Sequence, residues 1–140
     1  MRLVIPALHL ETAIIPAPVE GESWRVSHLG QAVGLLEGTA APGEGGNVVL
    51  AGHVTLSPDG RAGPFFRLGA LSPGDTAIVY RGDRRYLYRV DSLFTAKPTA
   101  IEVTYPSEEP RLTLITCLHY DRAAGRYTDR LVVVAHQVAE

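Results

Sequence analysis

The chain has 140 residues, of which 46% are hydrophobic and 20% charged, and its net charge is −2. This composition is typical of a globular chain that buries its own core, and it argues against disorder over most of the length. There is no cluster of basic residues, so neither nucleic acid nor a polybasic membrane contact is indicated as a partner. We expect a single domain spanning residues 1–140.

The chain contains one cysteine, Cys117. A single thiol excludes an intramolecular disulfide framework and a cysteine-rich zinc site. No apolar run reaches the roughly 18 to 20 residues that a membrane-spanning helix needs, and Met1 and Arg2 open strand-like sequence rather than a signal peptide. If Cys117 has a function, it acts through its thiol.

Short β-strands are predicted through the first half of the chain. Residues 2–15 show partial alternation of apolar and polar residues, broken by a proline, which predicts two short strands with a bend between them. Residues 16–46 are rich in Pro and Gly and indicate a long ordered connection, in which Trp24 packs against the wall of the fold. Residues 47–53, NVVLAGH, predict an apolar strand that ends with His53 at a turn.

Two later stretches predict helical turns. Pro64 is expected to start a short helix that carries Phe65, Phe66 and Leu68 into the core. Residues 98–110 contain three prolines and three glutamates, a composition that favours a loop with at most one helical turn.

Residues 76–80 and 84–97 predict a β-hairpin around a tight turn, because both runs are enriched in β-branched and aromatic residues. With the strands near both ends, the chain would contain seven or eight short strands and one or two helical turns. That pattern is typical of an all-β barrel or sandwich.

The run 111–117, RLTLITC, predicts a buried strand that ends in the thiol. Alternate residues of a strand point to opposite faces, so Cys117 shares a face with Thr113 and Ile115. A second strand-like run, RLVVVA, begins at Arg130, and antiparallel pairing of the two runs would place this guanidinium beside the thiol. Since a lone cysteine is more often a small core residue than a nucleophile, chemistry requires a third group.

A histidine is the natural third group. His53, Cys117 and Arg130 each lie at a strand boundary, where residues on the rim of a barrel converge. Competing side chains lie nearer to the cysteine in sequence, namely His119, Arg122 and Arg126. We favour Arg130 because the other two arginines lie in the predicted turn, whereas the choice of His53 over His119 rests on the Gly-His context of the resemblance that follows.

The sequence segments around these residues resemble the signature segments of the sortases, the cysteine transpeptidases of bacterial surfaces. VVLAGH surrounds His53, TLITC ends at Cys117 and RLVVVA opens with Arg130. GPFFRL and SPGD are also similar to that family, and the resemblance covers residues 47–138 with weaker agreement over 3–15. It implies an all-β fold: a closed eight-stranded sortase-type barrel of antiparallel and mixed strands with one or two short helices.

The resemblance also implies an activity. A sortase would cleave a Leu-Pro-x-Thr-Gly-like or Leu-Ala-x-Thr-Gly-like sorting signal between Thr and Gly through a thioacyl-enzyme on Cys117. It would then transfer the acyl group to an amine, on a cell-wall precursor or a pilin lysine. His53 would act as general acid, and Arg130 would bind the substrate backbone or the oxyanion. Thr116 would position substrate or the arginine, and the 98–110 loop would close over the first residues of the signal.

Location and cofactors follow from the same resemblance. We expect an extracytoplasmic domain at the bacterial cell surface, anchored in the membrane by a segment of a longer precursor, with a closer likeness to classes D, E and F than to A or C. Some sortases bind calcium through acidic residues near the loop that corresponds to residues 98–110. Glu102, Glu108 and Glu109 are instead interpreted as solvated charge, and no metal or cofactor is predicted.

Two alternatives remain open on the sequence. The first is a non-catalytic extracytoplasmic β-barrel binding module, in which Cys117 is buried and Arg130 forms an ion pair. The second is another cell-wall cysteine peptidase or an L,D-transpeptidase. Those transpeptidases place Ser and Gly just ahead of their cysteine, where this chain has Ile115 and Thr116.

Overall fold

The computed structural model describes residues 1–56, 60–117, 120–121, 126–127 and 129–139, and its centre is a closed eight-stranded β-barrel. The barrel strands are β1 (Arg2–Ile5), β2 (Leu10–Ala17), β3 (Val33–Leu36), β4 (Asn47–Gly52), β5 (Thr76–Arg81), β6 (Arg84–Ala96), β7 (Arg111–Thr116) and β8 (Arg130–Val138). Around the barrel they follow the order β1-β2-β3-β4-β7-β8-β6-β5, and β5 closes on β1. The closed all-β barrel expected from the sequence is confirmed.

Short elements lie in the connections between the barrel strands. Within the described residues, two-stranded ribbons pair Val19–Glu20 with Ser23–Trp24, Thr55–Leu56 with Arg61–Ala62, and Tyr120–Asp121 with Arg126–Tyr127. Across the described ranges the helical segments are three 3-10 helices, Pro6–Leu8, Leu68–Ala70 and Ile101–Thr104, one more than the upper number expected. No helix in the described part of the chain has the length and apolar character needed to cross a membrane.

The strand pairing is mixed. β2 with β3 and β4 with β7 are parallel, and the other neighbours are antiparallel. β7 is therefore a central strand with β4 on one side and β8 on the other. The antiparallel pairing of the two strands that carry the cysteine and the arginine was predicted and is confirmed.

The barrel interior is filled by one face of each strand. Leu50, Leu112, Leu114 and Val133 are fully buried there in the larger of two hydrophobic clusters. Burial of a Leu or Val side chain contributes about 1.5–3 kcal/mol, so this layer is the main source of stability.

The outer face of β4, β7 and β8 is covered as well, by two connecting segments. Ile115, Cys117 and Val132 belong to a second, smaller hydrophobic cluster. Partly buried Trp24, from the connection between β2 and β3, and Val103, from the 98–110 loop, pack against this cluster. The predicted packing of Trp24 on the barrel wall is confirmed.

One core assignment from the sequence is wrong. Phe65 and Leu68 are buried, but Phe66 is 55% exposed. The segment begins with a turn, in which Phe65 donates its backbone N–H to the carbonyl of His53 and Phe66 donates to Gly63. Helical geometry starts only at Leu68, so consecutive side chains of the turn point in different directions.

Candidate active site

The parallel register of β4 and β7 brings His53 beside Cys117. Gly52 lies opposite Thr116 in this pairing, and the backbone N–H of Cys117 donates to the carbonyl of Gly52 at 2.8 Å. His53 follows Gly52 as Cys117 follows Thr116. Because neighbouring strands lie about 4.8 Å apart, the two residues leave the sheet side by side.

The antiparallel register of β7 and β8 brings Arg130 to the other side of the thiol. Ile115 lies opposite Val132. Counting two residues forward from Ile115 along β7 gives Cys117, and counting two residues back from Val132 along β8 gives Arg130. Because the strands are antiparallel, these two residues face each other.

All three residues lie on the outer face of the barrel. The outer cluster contains Ala51, Ile115 and Val132. Two positions along a strand return a side chain to the same face. The residues two positions from these three are His53, Cys117 and Arg130. The structure thus arranges the three predicted residues as one row across β4, β7 and β8, and we call it the His-Cys-Arg row.

Cys117 is a buried thiol. Its exposed fraction is 8%, and burial raises its pKa to about 12, although the charge of Arg130 acts in the opposite direction. Burial therefore favours the neutral form of this thiol. A cavity of about 190 Å³ lies beside it, lined by Trp24, Val26 and Arg130 among others.

Arg130 is half-buried and carries an unused donor. Burial lowers the pKa of its guanidinium, and the neighbouring Cys117 raises it. Among the described residues, its Nε atom is buried and has no hydrogen-bond partner. A buried donor without a partner is costly, and a substrate oxygen in the cavity would satisfy it.

The imidazole of His53 has a defined partner. Its Nε2 atom lies 2.9 Å from the carbonyl oxygen of Val26. A carbonyl oxygen only accepts hydrogen bonds, so this contact assigns the proton of neutral His53 to Nε2. Nδ1 of that tautomer carries no proton and can act as an acceptor.

Two glycines hold the backbone of His53 in place. A Cβ atom on Gly63 would overlap the carbonyl group of His53, and one on Gly52 would lie 2.7 Å from the ring of Phe65. Phe65 also donates its N–H to the His53 carbonyl at 3.0 Å. The sequence analysis did not assign these roles, although the spacing of Gly-His and Gly-Pro-Phe was a visible signal.

Thr116 contacts the strand that carries the arginine. Its Oγ1 accepts a hydrogen bond of 2.9 Å from the backbone N–H of Leu131, the residue after Arg130. His119 and Arg122, which compete with the favoured residues on the sequence, lie outside the described residues, as does the side chain of Arg126.

A larger groove continues along the same outer face. It has a volume of about 710 Å³ and is lined by Phe94, Ala96, Val103, Thr113 and Val134 among others. Thr113 lies on the same face as Cys117 and four residues before it, a distance of about 13 Å along the strand. An extended peptide of a few residues would span from this groove to the thiol.

Comparisons with known proteins show which chains this one is similar to. A family model described as the Sortase domain matches residues 3–138. Sortase A of Bacillus anthracis is 28% identical over 131 residues, and the match covers 90% of this chain but 55% of that protein. The chain therefore spans about half the length of this relative.

Solved structures with the same fold include sortases of several classes. Sortase C-1 from Actinomyces oris is 29% identical with a TM-score of 0.78, and the match covers 99% of this chain and 73% of that chain. For the sortase D5 transpeptidase of Clostridium perfringens the identity is 25%, the TM-score 0.75 and the coverage 99% and 78%. For sortase A of Corynebacterium diphtheriae, a lid mutant, the values are 26%, 0.76, 99% and 69%. Because classes A, C and D are all represented, the subclass stays a prediction.

Proposed function

Because this chain belongs to the sortase family, we propose that it is a cysteine transpeptidase that acts on sorting signals outside the cytoplasmic membrane. Its substrate is a Leu-Pro-x-Thr-Gly-like or Leu-Ala-x-Thr-Gly-like peptide, cut between Thr and Gly. The acyl group is held on Cys117 as a thioester and passes to an amine of a cell-wall precursor or a pilin lysine. The observation that carries the proposal is the His-Cys-Arg row on one face of the barrel.

The first step requires ionisation of a thiol that is neutral in the free protein. The raised pKa of Cys117 means that Arg130 alone does not produce the thiolate. Nδ1 of His53 takes the proton as Sγ attacks the threonine carbonyl carbon, forming the S–C bond and moving the carbonyl electrons to oxygen. The imidazolium then gives that proton to the glycine nitrogen as the C–N bond breaks.

Arg130 stabilises the charge that develops on oxygen. Its buried, unpartnered Nε and its position opposite Cys117 suit it to donate to the oxyanion of the tetrahedral intermediate. A guanidinium stays protonated at neutral pH, so Arg130 is not a base. In the second step the amine nitrogen attacks the thioester carbonyl carbon and gives a proton to His53, which passes it to Sγ of Cys117 as the C–S bond breaks.

The groove beside the row suits the first residues of the signal. Phe94, Ala96, Val103 and Val134 give it apolar walls, which match leucine with proline or alanine. Thr116 anchors β8 next to Arg130 and so supports the positioning role that the family resemblance implies.

A non-catalytic binding module is the second candidate, and one observation favours it. Cys117 is almost fully buried and its pKa is raised, as expected of an inert core thiol. A purely structural cysteine, however, does not account for the cavity beside it or the unpartnered donor of Arg130.

Intact-mass spectrometry decides between the two. The protein is incubated with a Leu-Pro-x-Thr-Gly peptide and a Leu-Ala-x-Thr-Gly peptide, with and without a glycine amine. The proposal predicts a mass increase equal to the peptide truncated after threonine, absent in Cys117→Ala, and a ligated product when the amine is present. No adduct with either peptide, together with no reaction of folded Cys117 with iodoacetamide, would instead support the binding module.

A further inference from the structure

Two buried polar side chains lie on the outer face near the start of β4 and β7. Asn47 is 2% exposed and Thr113 is 1% exposed. The hydroxyl of Thr113 donates to Oδ1 of Asn47 at 2.7 Å. Nδ2 of Asn47 donates to the carbonyl oxygens of Val103 at 3.1 Å and of Tyr105 at 3.0 Å. The carboxamide is thus used at both ends, and neither atom faces solvent.

The direction of this network is fixed. Both loop partners are carbonyl oxygens, which only accept, so they require the NH₂ group. The opposite end of the carboxamide must accept, and Thr113 supplies its donor. Breaking any of these bonds leaves a buried polar atom without a partner, which costs more than the bond itself contributes.

The two carbonyls belong to the 98–110 loop, which forms one wall of the groove. Val103 lies in the 3-10 helix Ile101–Thr104, and Thr99, Ala100, Glu102 and Val103 all line the groove. The side chains of Ile101 and Tyr105 are 56% and 54% exposed, so they add little packing. The bonds from Asn47 cross 56 and 58 residues of sequence and connect this wall to the barrel.

We propose that Asn47 and Thr113 are positioning residues that hold the 98–110 loop as a preformed wall of the sorting-signal groove. The inference rests on the proposed function for its kinetic part. A wall that is ordered before binding saves the conformational entropy of ordering it on the substrate. Loss of the network therefore weakens capture of the peptide and leaves the chemistry at Cys117 unchanged.

The first test measures hydrogen exchange of the loop and needs no catalytic activity. The backbone N–H groups of Ala100 and Tyr105 donate to the nearby carbonyls of Lys97 and Glu102, and these two N–H groups serve as reporters. In Asn47→Ala we expect about tenfold faster exchange at these two positions, because the loop opens more often. Wild-type exchange rates in Asn47→Ala would overturn the proposal.

A matched control is available at Thr39. Its Oγ1 donates to the carbonyl of Leu36 at 2.8 Å and accepts from the N–H of Val49 at 3.4 Å, so Thr39→Val also removes part-buried hydrogen bonds of the outer face. Its bonds do not involve the loop. We expect it to leave exchange at Ala100 and Tyr105 unchanged, and acceleration equal to that of Asn47→Ala would attribute the effect to general loss of stability and overturn the proposal.

The second test separates binding from chemistry. For Asn47→Ala we expect KM for the sorting peptide to rise about tenfold, with kcat and the rate of Cys117 alkylation by iodoacetamide within about twofold of wild type. Thr113→Val should raise KM in the same direction, and Thr113→Ser, which keeps the hydroxyl, should restore it. If Asn47→Ala does not fold, this Thr113 pair carries both tests.

The outcomes distinguish the inference from the proposed function. A loosened loop with an unchanged KM, or a fall in kcat together with slower alkylation, would overturn the positioning role. Absence of acylation in the wild-type protein would contradict the proposed function, whereas the exchange experiment would still decide whether Asn47 holds the loop.

Discussion

The two faces of β7 are buried by different means. Leu112 and Leu114 point into the barrel and are covered by the other strands. Ile115 and Cys117 point outward and are covered by the connection between β2 and β3 and by the 98–110 loop. Burial of the inner face therefore depends on closure of the barrel, and burial of the outer face on two connecting segments. One strand thus serves stability with one face and, under the proposed function, chemistry with the other.

A loss of side-chain volume on the inner face of β7 should destabilise the fold. Leu114→Ala removes a fully buried side chain, and we expect the free energy of unfolding to fall by about 2–5 kcal/mol. Urea denaturation measures this loss. Molecules that remain folded should acylate at the wild-type rate, and a loss of that rate in folded protein would contradict the separation of the two faces.

A change on the outer face of β7 should instead lower the acylation rate and leave the stability nearly unchanged. Arg130→Lys keeps the charge but loses the Nε donor, so we expect the acylation rate to fall by about 10²–10³-fold with little change in stability. Single-turnover kinetics with the sorting peptide measures the rate. Arg89→Lys, at an exposed position of β6, is the control and should keep full activity; an equal effect of both changes would exclude the assigned role.

The close contact between Gly63 and the backbone of His53 can be disturbed without substituting any residue of the His-Cys-Arg row. In Gly63→Ala the new methyl group overlaps the carbonyl of His53, and a displacement near 1 Å costs about 10²-fold in rate. Gly69→Ala is the matched control, because its methyl group would meet the side chain of Leu131 at an ordinary 3.5 Å. Stopped-flow acylation of both variants gives the comparison, and a fully active Gly63→Ala would show that this clamp is dispensable.

The thiol itself predicts a dependence on pH, whose step of about tenfold per pH unit is the smallest single step among these predictions. Burial raises the pKa of Cys117 to about 12, so the thiolate fraction grows with pH throughout the accessible range. We expect the rate of alkylation by iodoacetamide to rise about tenfold per pH unit between roughly pH 7 and 10. A plateau near neutral pH, read by intact mass, would mean that the free protein already holds a thiolate.

The sequence predicts two members of the row, Cys117 and Arg130, because strand geometry is local. Alternation along residues 111–117 assigns Cys117 to the face of Ile115, and pairing with the strand that follows fixes Arg130 opposite it. His53 required the family resemblance, because its strand pairs with β7 from 64 residues away and in parallel orientation, which no local pattern encodes.

The covering of the outer face was harder to predict. The bond between His53 and the carbonyl of Val26 depends on the path of a connection that the sequence describes only as rich in Pro and Gly. The hydrogen bonds of Asn47 to the 98–110 loop were also not predicted, although a polar residue that opens an apolar strand is a visible signal. Phe66 was placed in the core because a helical start was assumed where the chain makes a turn.

The most direct test of the account compares intact masses of three proteins after incubation with the sorting peptide: wild type, Cys117→Ala and Leu114→Ala. The account predicts a thioacyl adduct on wild type and on folded Leu114→Ala, and none on Cys117→Ala, whose stability should stay close to that of wild type. An adduct on Cys117→Ala, or none on wild-type protein with either peptide, would contradict the assignment of the chemistry to the outer face of β7.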